Sequence, residues 1–187
     1  MRLPPRPSSP LIAAANFTSL GHVWIVEDHA TYRRSIELLC TPDRGLAPPC
    51  AFSNGEGMLT ALKSDGADHN PEVMLLDVGL PGRSGLDLIH DIHLHAPHCR
   101  IVILTVFEDE DKIFEAIRSG ASGDLLKTAG AEAVPKAIIE AKDGGSPMSP
   151  SIASPVVSLL AKLMRPMPQK VGSRAGKTNS SPSWSKA

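Results

Sequence analysis

Compact apolar runs alternate with segments of helical periodicity through the middle of the chain. The strongest runs lie at residues 22–26, 73–77 and 100–105, and weaker ones at 50–53 and 122–127. Between them, apolar side chains recur every three or four residues, which predicts five helices. The first two span 29–40 and 55–62, the third begins after a Ser84 cap, the fourth ends at residue 120, and the fifth ends before residue 144. Strands that alternate with helices predict an α/β fold, a flavodoxin-like doubly wound sandwich around a five-stranded parallel sheet, (βα)5.

Composition divides the chain into three parts. Residues 1–20 are rich in proline and predict a disordered lead, and residues 21–144 carry the periodic pattern of a single folded core. Residues 145–187 are rich in Pro, Ser and Lys, and predict a linker helix near 152–163 followed by a flexible basic tail. With 42% hydrophobic and 21% charged residues, the chain has the composition of an ordinary globular domain.

Charge and hydropathy exclude several functional classes. The formal net charge of -1 gives no overall basic field for nucleic-acid binding, although weak contact through the basic tail stays an alternative. No apolar run is long enough to span a membrane, and the proline-rich start is a poor secretory signal, so we expect a cytoplasmic protein. Cys40, Cys50 and Cys99 lack the close spacing of zinc or redox motifs, and we expect buried thiols.

Reactive polar residues follow the predicted strands. Glu27 and Asp28 follow the first, Asp77 ends the third, Thr105 ends the fourth and Lys127 follows the fifth. Ligands of doubly wound sheets bind beyond the carboxyl ends of the strands, so these residues define a candidate site. Carboxylates gathered there repel one another, and a hard divalent cation such as Mg2+ relieves the repulsion. Asp77 is then a candidate nucleophile for a phosphoryl group.

The segments WIVED, LLDVGLPGRSGLDLI, VILT and LLK occur in this order across about 120 residues. In this arrangement the chain resembles the receiver domains of two-component response regulators. The resemblance implies a phosphorylation-activated signalling switch rather than a metabolic enzyme, with a sensor histidine kinase as its partner. It also implies roles for the residues at the strand ends: Glu27 and Asp28 as the acidic pair, Asp77 as phosphoacceptor, Gly79 as a main-chain carbonyl ligand of Mg2+, Thr105 as the switch hydroxyl and Lys127 as the phosphate-binding lysine.

The segments SGDLLKTA and GGSPMSPSIA are similar to the NarL/FixJ subgroup, in which a linker joins the receiver to a LuxR-type helix-turn-helix. That resemblance implies control of transcription, with DNA bound only through the output domain and with homodimerisation left open. The helices of an output domain are missing here, so the sequence is either part of a longer protein or a stand-alone receiver.

Two positions depart from the family pattern. Asp124 lies three residues before the lysine, where family members commonly carry an aromatic side chain whose rotation couples phosphorylation to the output face. Val106 follows the switch hydroxyl, where a small residue usually gives phosphodonors and water access. We therefore expect altered coupling at Asp124 and slowed phosphoryl exchange at Val106.

Two other functional classes share part of this pattern. A phosphatase of the haloacid dehalogenase class also uses an aspartyl nucleophile and Mg2+, but it needs a second aspartate two residues later, where this chain has Gly79. A pseudo-receiver that acts only as a protein-interaction module is disfavoured by the intact acidic cluster, and absence of Mg2+ binding would favour it.

Overall fold

The computed structural model describes residues 22–64, 70–106, 110–130 and 132–150, together with 153, 154 and 157. Within these ranges strands and α-helices alternate along the chain in the following order: β1 (Val23–Val26), α1 (Ala30–Leu39), β2 (Cys50–Phe52), α2 (Gly55–Ser64), β3 (Val73–Asp77), α3 (Gly85–His95), β4 (Arg100–Thr105), α4 (Glu110–Arg118), β5 (Gly123–Leu126) and α5 (Ala133–Lys142).

The strands form one five-stranded sheet in the order β2-β1-β3-β4-β5, and every neighbouring pair is parallel. This topology confirms the predicted doubly wound, flavodoxin-like fold. Because the strands are parallel, their carboxyl ends lie at the same edge of the sheet. The register pairs Val26 with Leu76 and Asp77 with Leu104, which brings the ends of β1, β3 and β4 side by side.

Two apolar cores cover the two faces of the sheet, and the strands contribute alternate residues to each. Trp24 and Val26 pack into the first core with helices α2, α3 and α4, whereas Val23 and Ile25 pack into the second with α1 and α5. β3 is buried along its whole length, which explains why its sequence is a continuous apolar run up to Asp77. Burial on both faces leaves the strand ends as the place where polar side chains collect.

Element boundaries follow local capping. Ser84 caps α3 as predicted, in a reciprocal capping box with Asp87. His29, predicted to begin α1, is instead its N-cap, and its Nδ1 accepts a hydrogen bond from the Tyr32 amide at 3.3 Å. α2 extends to Ser64, two residues beyond the predicted end, because polar residues after Leu62 continue the helix on its exposed side.

The expectation of three buried thiols is wrong for Cys50. Cys40 and Cys99 are buried, but Cys50 is exposed because β2 is an edge strand of the sheet. No helix in the described part of the chain has the length and apolar character needed to cross a lipid bilayer.

The domain boundaries stay a prediction. The predicted lead, residues 1–20, lies outside the described residues, as does most of the region after 150. In the predicted linker helix, 152–163, only residues 153, 154 and 157 are described, and these are helical.

Candidate functional site

Three carboxylates meet at the carboxyl edge of the sheet. Glu27 and Asp28 follow β1, and Asp77 is the last residue of β3, the strand beside it. One carboxylate oxygen from each residue lies within 4.8 Å of the others. Glu27 and Asp77 are buried whereas Asp28 is exposed, so the cluster opens to solvent on the side of Asp28. The structure thus brings together the acidic residues that the sequence placed at this edge.

Lys127 reaches this cluster from the end of β5. Its ammonium lies 2.7 Å from Glu27 Oε2 and 3.0 Å from Asp77 Oδ2, and its side chain is only 14% exposed. Burial lowers the pKa of Lys127, but its contacts with the two carboxylates outweigh burial, and the pKa is raised overall. The lysine is therefore held in its charged form between the two buried acids.

Glu27 is a buried carboxyl that lies beside both Lys127 and Asp77. Burial raises the pKa of the Glu27 carboxyl, Lys127 lowers it, and the nearby Asp77 raises it again, with a net increase. Oε2 of Glu27 is buried and receives no hydrogen bond of good geometry within the described part of the chain, although Lys127 is its ion-pair partner. A buried, charged oxygen with spare acceptor capacity fits a cation or a cation-bound water.

The loop after β3 is fixed to the side chain of Asp77. The Gly79 amide donates a hydrogen bond to Asp77 Oδ1 at 2.9 Å. A Cβ atom on Gly85 would collide with the main-chain oxygen of Asp77, so α3 begins directly against the end of β3. The predicted role of the Gly79 carbonyl as a metal ligand stays a prediction.

Thr105 and Val106 lie at the end of β4. The Thr105 carbonyl accepts a hydrogen bond from the Lys127 amide at 2.7 Å, which ties the two predicted switch residues together through the main chain. Val106 is 54% exposed and stands at the surface just beyond Thr105. Its predicted effect on phosphoryl exchange stays a prediction.

Asp124 has hydrogen-bond partners outside the acidic cluster. It is a buried residue of β5, and its carboxylate accepts hydrogen bonds from the Ser149 amide. The sequence pattern identified Asp124 as unusual but gave no partner for it, because Ser149 lies 25 residues away along the chain.

Two residues of α1 belong to the site although sequence reasoning gave them no functional role. The Tyr32 ring centroid lies 5.4 Å from the Lys127 ammonium. Arg33 Nη1 donates to the main-chain oxygens of Glu27, at 2.6 Å, and Asp28, at 3.2 Å. The helical pattern assigned Tyr32 to the apolar face of α1. A contact with the site could have been suggested only by the first turn of α1, which directly follows the acidic pair.

The donor set is that of a site for a hard divalent cation. Three carboxylates provide oxygen ligands, and the exposed side of the cluster allows water to complete an octahedral shell. These residues fit Mg2+, which would supply positive charge against a phosphoryl group and the adjoining acids.

Comparison with known proteins identifies the family. Residues 23–139 match the model of the response regulator receiver domain. The transcriptional regulatory protein DegU of Brevibacillus brevis is 23% identical over 140 residues, covering 75% of this chain and 58% of that protein. A nitrate/nitrite response regulator protein homolog of Haemophilus influenzae is 35% identical over 106 residues, covering 56% of this chain and 49% of that protein. The chain thus spans about half the length of these relatives.

Solved structures agree on the fold. The isolated REC domain of RcsB from Salmonella enterica serovar Typhimurium superposes with a TM-score of 0.63 at 20% identity, covering 72% of this chain and 96% of that one. A LuxR-family two-component response regulator from Aurantimonas sp. gives a TM-score of 0.66 at 23% identity, covering 75% and 98%. The predicted resemblance to receivers of LuxR-type regulators is confirmed. The chain belongs to the response regulator receiver domain family.

Proposed function

We propose that this protein is a phosphorylation-activated signalling switch in which Asp77 accepts a phosphoryl group from a sensor histidine kinase. One observation carries the proposal. The buried Asp77 carboxylate lies 3.0 Å from the Lys127 ammonium and within 4.8 Å of Glu27 and Asp28. A nucleophilic carboxylate beside a fixed cation and a set of metal-ligand oxygens is the arrangement that phosphoryl transfer to an aspartate requires.

The transfer step uses a carboxylate oxygen of Asp77 as nucleophile. It attacks the phosphorus of a phosphohistidine, so that an O–P bond forms as the P–N bond breaks. The bonding electron pair stays on the imidazole nitrogen, which takes a proton from solvent. Glu27, Asp28, Asp77 and the main-chain carbonyl of Gly79 would hold Mg2+, which would supply positive charge to the phosphoryl oxygens. Hydrolysis by water returns the carboxylate and releases inorganic phosphate.

Phosphorylation changes the electrostatic interactions that hold the Lys127 ammonium. The new group adds about -1.5 to -2 charge beside the ammonium that Glu27 and Asp77 share. Lys127 turns toward the phosphoryl oxygens, and the Thr105 hydroxyl bonds another of them. Because the Lys127 amide bonds the Thr105 carbonyl, the ends of β4 and β5 respond together. The face formed by α4, β5 and α5 then carries the signal.

The wider assignment follows the relatives. We propose residues 21–144 as the receiver, with the predicted lead before it and the predicted linker and tail after it. The curated relatives are about twice as long as the matched region and include transcriptional regulators. We therefore propose a cytoplasmic protein that controls transcription through an output domain in a longer parent chain. DNA would bind only to that output domain, and homodimerisation stays open.

The test is the intact mass of the protein after incubation with acetyl phosphate. Wild type should gain the mass of one phosphoryl group with Mg2+ present and none with a chelator, and Asp77→Asn should gain none. Asp91→Asn is the matched control, because Asp91 is a carboxylate of α3 outside the acidic cluster. A gain that persists in Asp77→Asn would contradict the assignment of Asp77. No gain together with no Mg2+ binding would favour a phosphorylation-independent interaction module.

A further inference from the structure

The outer edge of β5 is closed by the chain that follows α5. β5 is the last strand of the sheet, so no strand in the described part of the chain pairs with the main-chain groups on its outer side. The Asp124 amide donates to the Pro147 carbonyl at 2.9 Å, and the Leu126 amide donates to Ser149 Oγ at 3.3 Å. The Lys127 amide instead faces β4, where it bonds Thr105. Residues 145–150, here called the clasp, thus take the place of a neighbouring strand.

The side chain of Asp124 fastens the clasp to this edge. The residue is 1% exposed, and its Oδ1 and Oδ2 accept hydrogen bonds from the Ser149 amide at 3.3 and 3.4 Å. Burial raises the pKa of Asp124, whereas the hydroxyl and amide of Ser149 lower it. A buried carboxylate needs such donors, and without the clasp these acceptors would lose them.

The packing around Asp124 is built to receive the clasp. A Cβ atom at Gly123 would lie 2.9 Å from the Pro147 ring and would collide with the Pro147 carbonyl oxygen, so only glycine allows this approach. Pro147 is buried, and Ser149 is 7% exposed. The Gly145 amide bonds the Glu140 carbonyl at 2.8 Å, which turns the chain back from α5 toward β5.

We propose that the β5 edge is an intramolecular docking surface for the clasp, with the Asp124 carboxylate as the residue that recognises and holds it. Whatever follows residue 150 then starts from a fixed point on the receiver. The clasp also closes an edge that would otherwise be open to pairing with another chain. Position 124, where the receiver family commonly has a rotating aromatic side chain, serves in this chain as a hydrogen-bonded anchor. This inference does not depend on phosphorylation of Asp77.

The experiment measures hydrogen exchange by NMR at the amides of Asp124 and Leu126, which face the clasp, in the full chain without phosphodonor. Asp124→Ala should lower protection at both positions by about tenfold or more, since the carboxylate that accepts from the Ser149 amide is lost. Asp124→Asn should have a smaller effect, because its amide oxygen still accepts from Ser149. Glu115→Ala, which removes an exposed carboxylate from α4, is the control and should leave protection unchanged. Unchanged protection in Asp124→Ala would overturn the proposal.

A second pair of variants leaves the strand itself intact and guards against misfolding of Asp124→Ala. Ser149→Pro removes both the amide donor and the hydroxyl, whereas Ser149→Ala removes only the hydroxyl. Protection at Leu126 should fall in both variants, because both remove the Ser149 hydroxyl that accepts its hydrogen bond. Protection at Asp124 should fall more in Ser149→Pro than in Ser149→Ala, while the Lys127 amide, which bonds β4, keeps its protection. Equal loss at Lys127 would mean that the strand opens as a whole and would overturn the proposal, as would no loss at all.

Discussion

Removal of the Lys127 ammonium should have opposite effects on stability and on Mg2+ affinity. Lys127 is the charge that separates the buried acids Glu27 and Asp77, which lie 2.7 and 3.0 Å from its nitrogen. Lys127→Ala leaves those acids facing each other with Asp28 nearby. Three carboxylates and one ammonium give the cluster a formal charge of -2, and without the ammonium the charge is -3.

The size of each effect follows from these distances. Opposite unit charges 3 Å apart attract by about 5 to 6 kcal/mol at an effective dielectric constant of 20, and desolvation offsets part of this. Breaking one partner out of a buried ion pair costs about 3 to 5 kcal/mol, so we expect a loss of about 3 kcal/mol in the free energy of unfolding without Mg2+. The extra negative charge should tighten Mg2+ binding by at least about tenfold, or 1.4 kcal/mol.

Urea unfolding with and without Mg2+, together with calorimetric titration of Mg2+, measures both quantities. Lys136→Ala, which removes an exposed positive charge on α5, is the matched control and should change neither. Burial already raises the pKa of Glu27, and losing Lys127 raises it further, so the variant should regain stability as pH falls through that raised pKa. Weaker Mg2+ binding in Lys127→Ala, or unchanged stability without Mg2+, would refute this electrostatic account.

Substitutions in α1, around the loop after β3 and at the end of β4 test the surroundings of the site. Tyr32→Leu should slow phosphorylation by acetyl phosphate several-fold while Tyr32→Phe stays near wild type, since an aromatic face beside an ammonium contributes about 0.5 to 2 kcal/mol; equal rates in both would contradict a positioning role. Gly85→Ala should lower the free energy of unfolding by about 1 to 3 kcal/mol, because its Cβ atom would collide with the Asp77 main chain. Gly79→Ala should lower the free energy of unfolding less, because a Cβ atom there would lie at ordinary contact distance from the Asp77 carboxylate. Val106→Ala should speed phosphorylation, and an unchanged rate would show that Val106 does not screen the site.

The sequence predicted the sheet best where burial is complete. β3 and β4 begin and end at the predicted residues, because strands covered on both faces read as continuous apolar runs. The ends of α1 and α2 differ from the prediction by one or two residues. A polar residue such as His29 can either cap a helix or lie in its first turn, and the sequence does not distinguish the two. The exposure of Cys50 depends on its strand lying at the sheet edge, which periodicity does not reveal.

The candidate site was accessible to sequence reasoning because parallel strands bring their carboxyl ends together. Glu27, Asp77 and Lys127 could be grouped from their strand positions alone, and the structure places them in contact. The pairing of Asp124 with Ser149 could not, since it depends on the turn after α5 and not on any local pattern. Contacts between side chains distant in sequence need the three-dimensional path of the chain.

The central claim is that Asp77 carries the phosphoryl group, and chemical trapping locates that group most directly. The protein is phosphorylated with acetyl phosphate and Mg2+, reduced with borohydride, digested and sequenced by mass spectrometry. Borohydride reduces an acyl phosphate to the alcohol, so homoserine should appear at position 77. It should appear only after treatment with both acetyl phosphate and borohydride. Homoserine at Asp28 or at another carboxylate instead of position 77 would contradict the account.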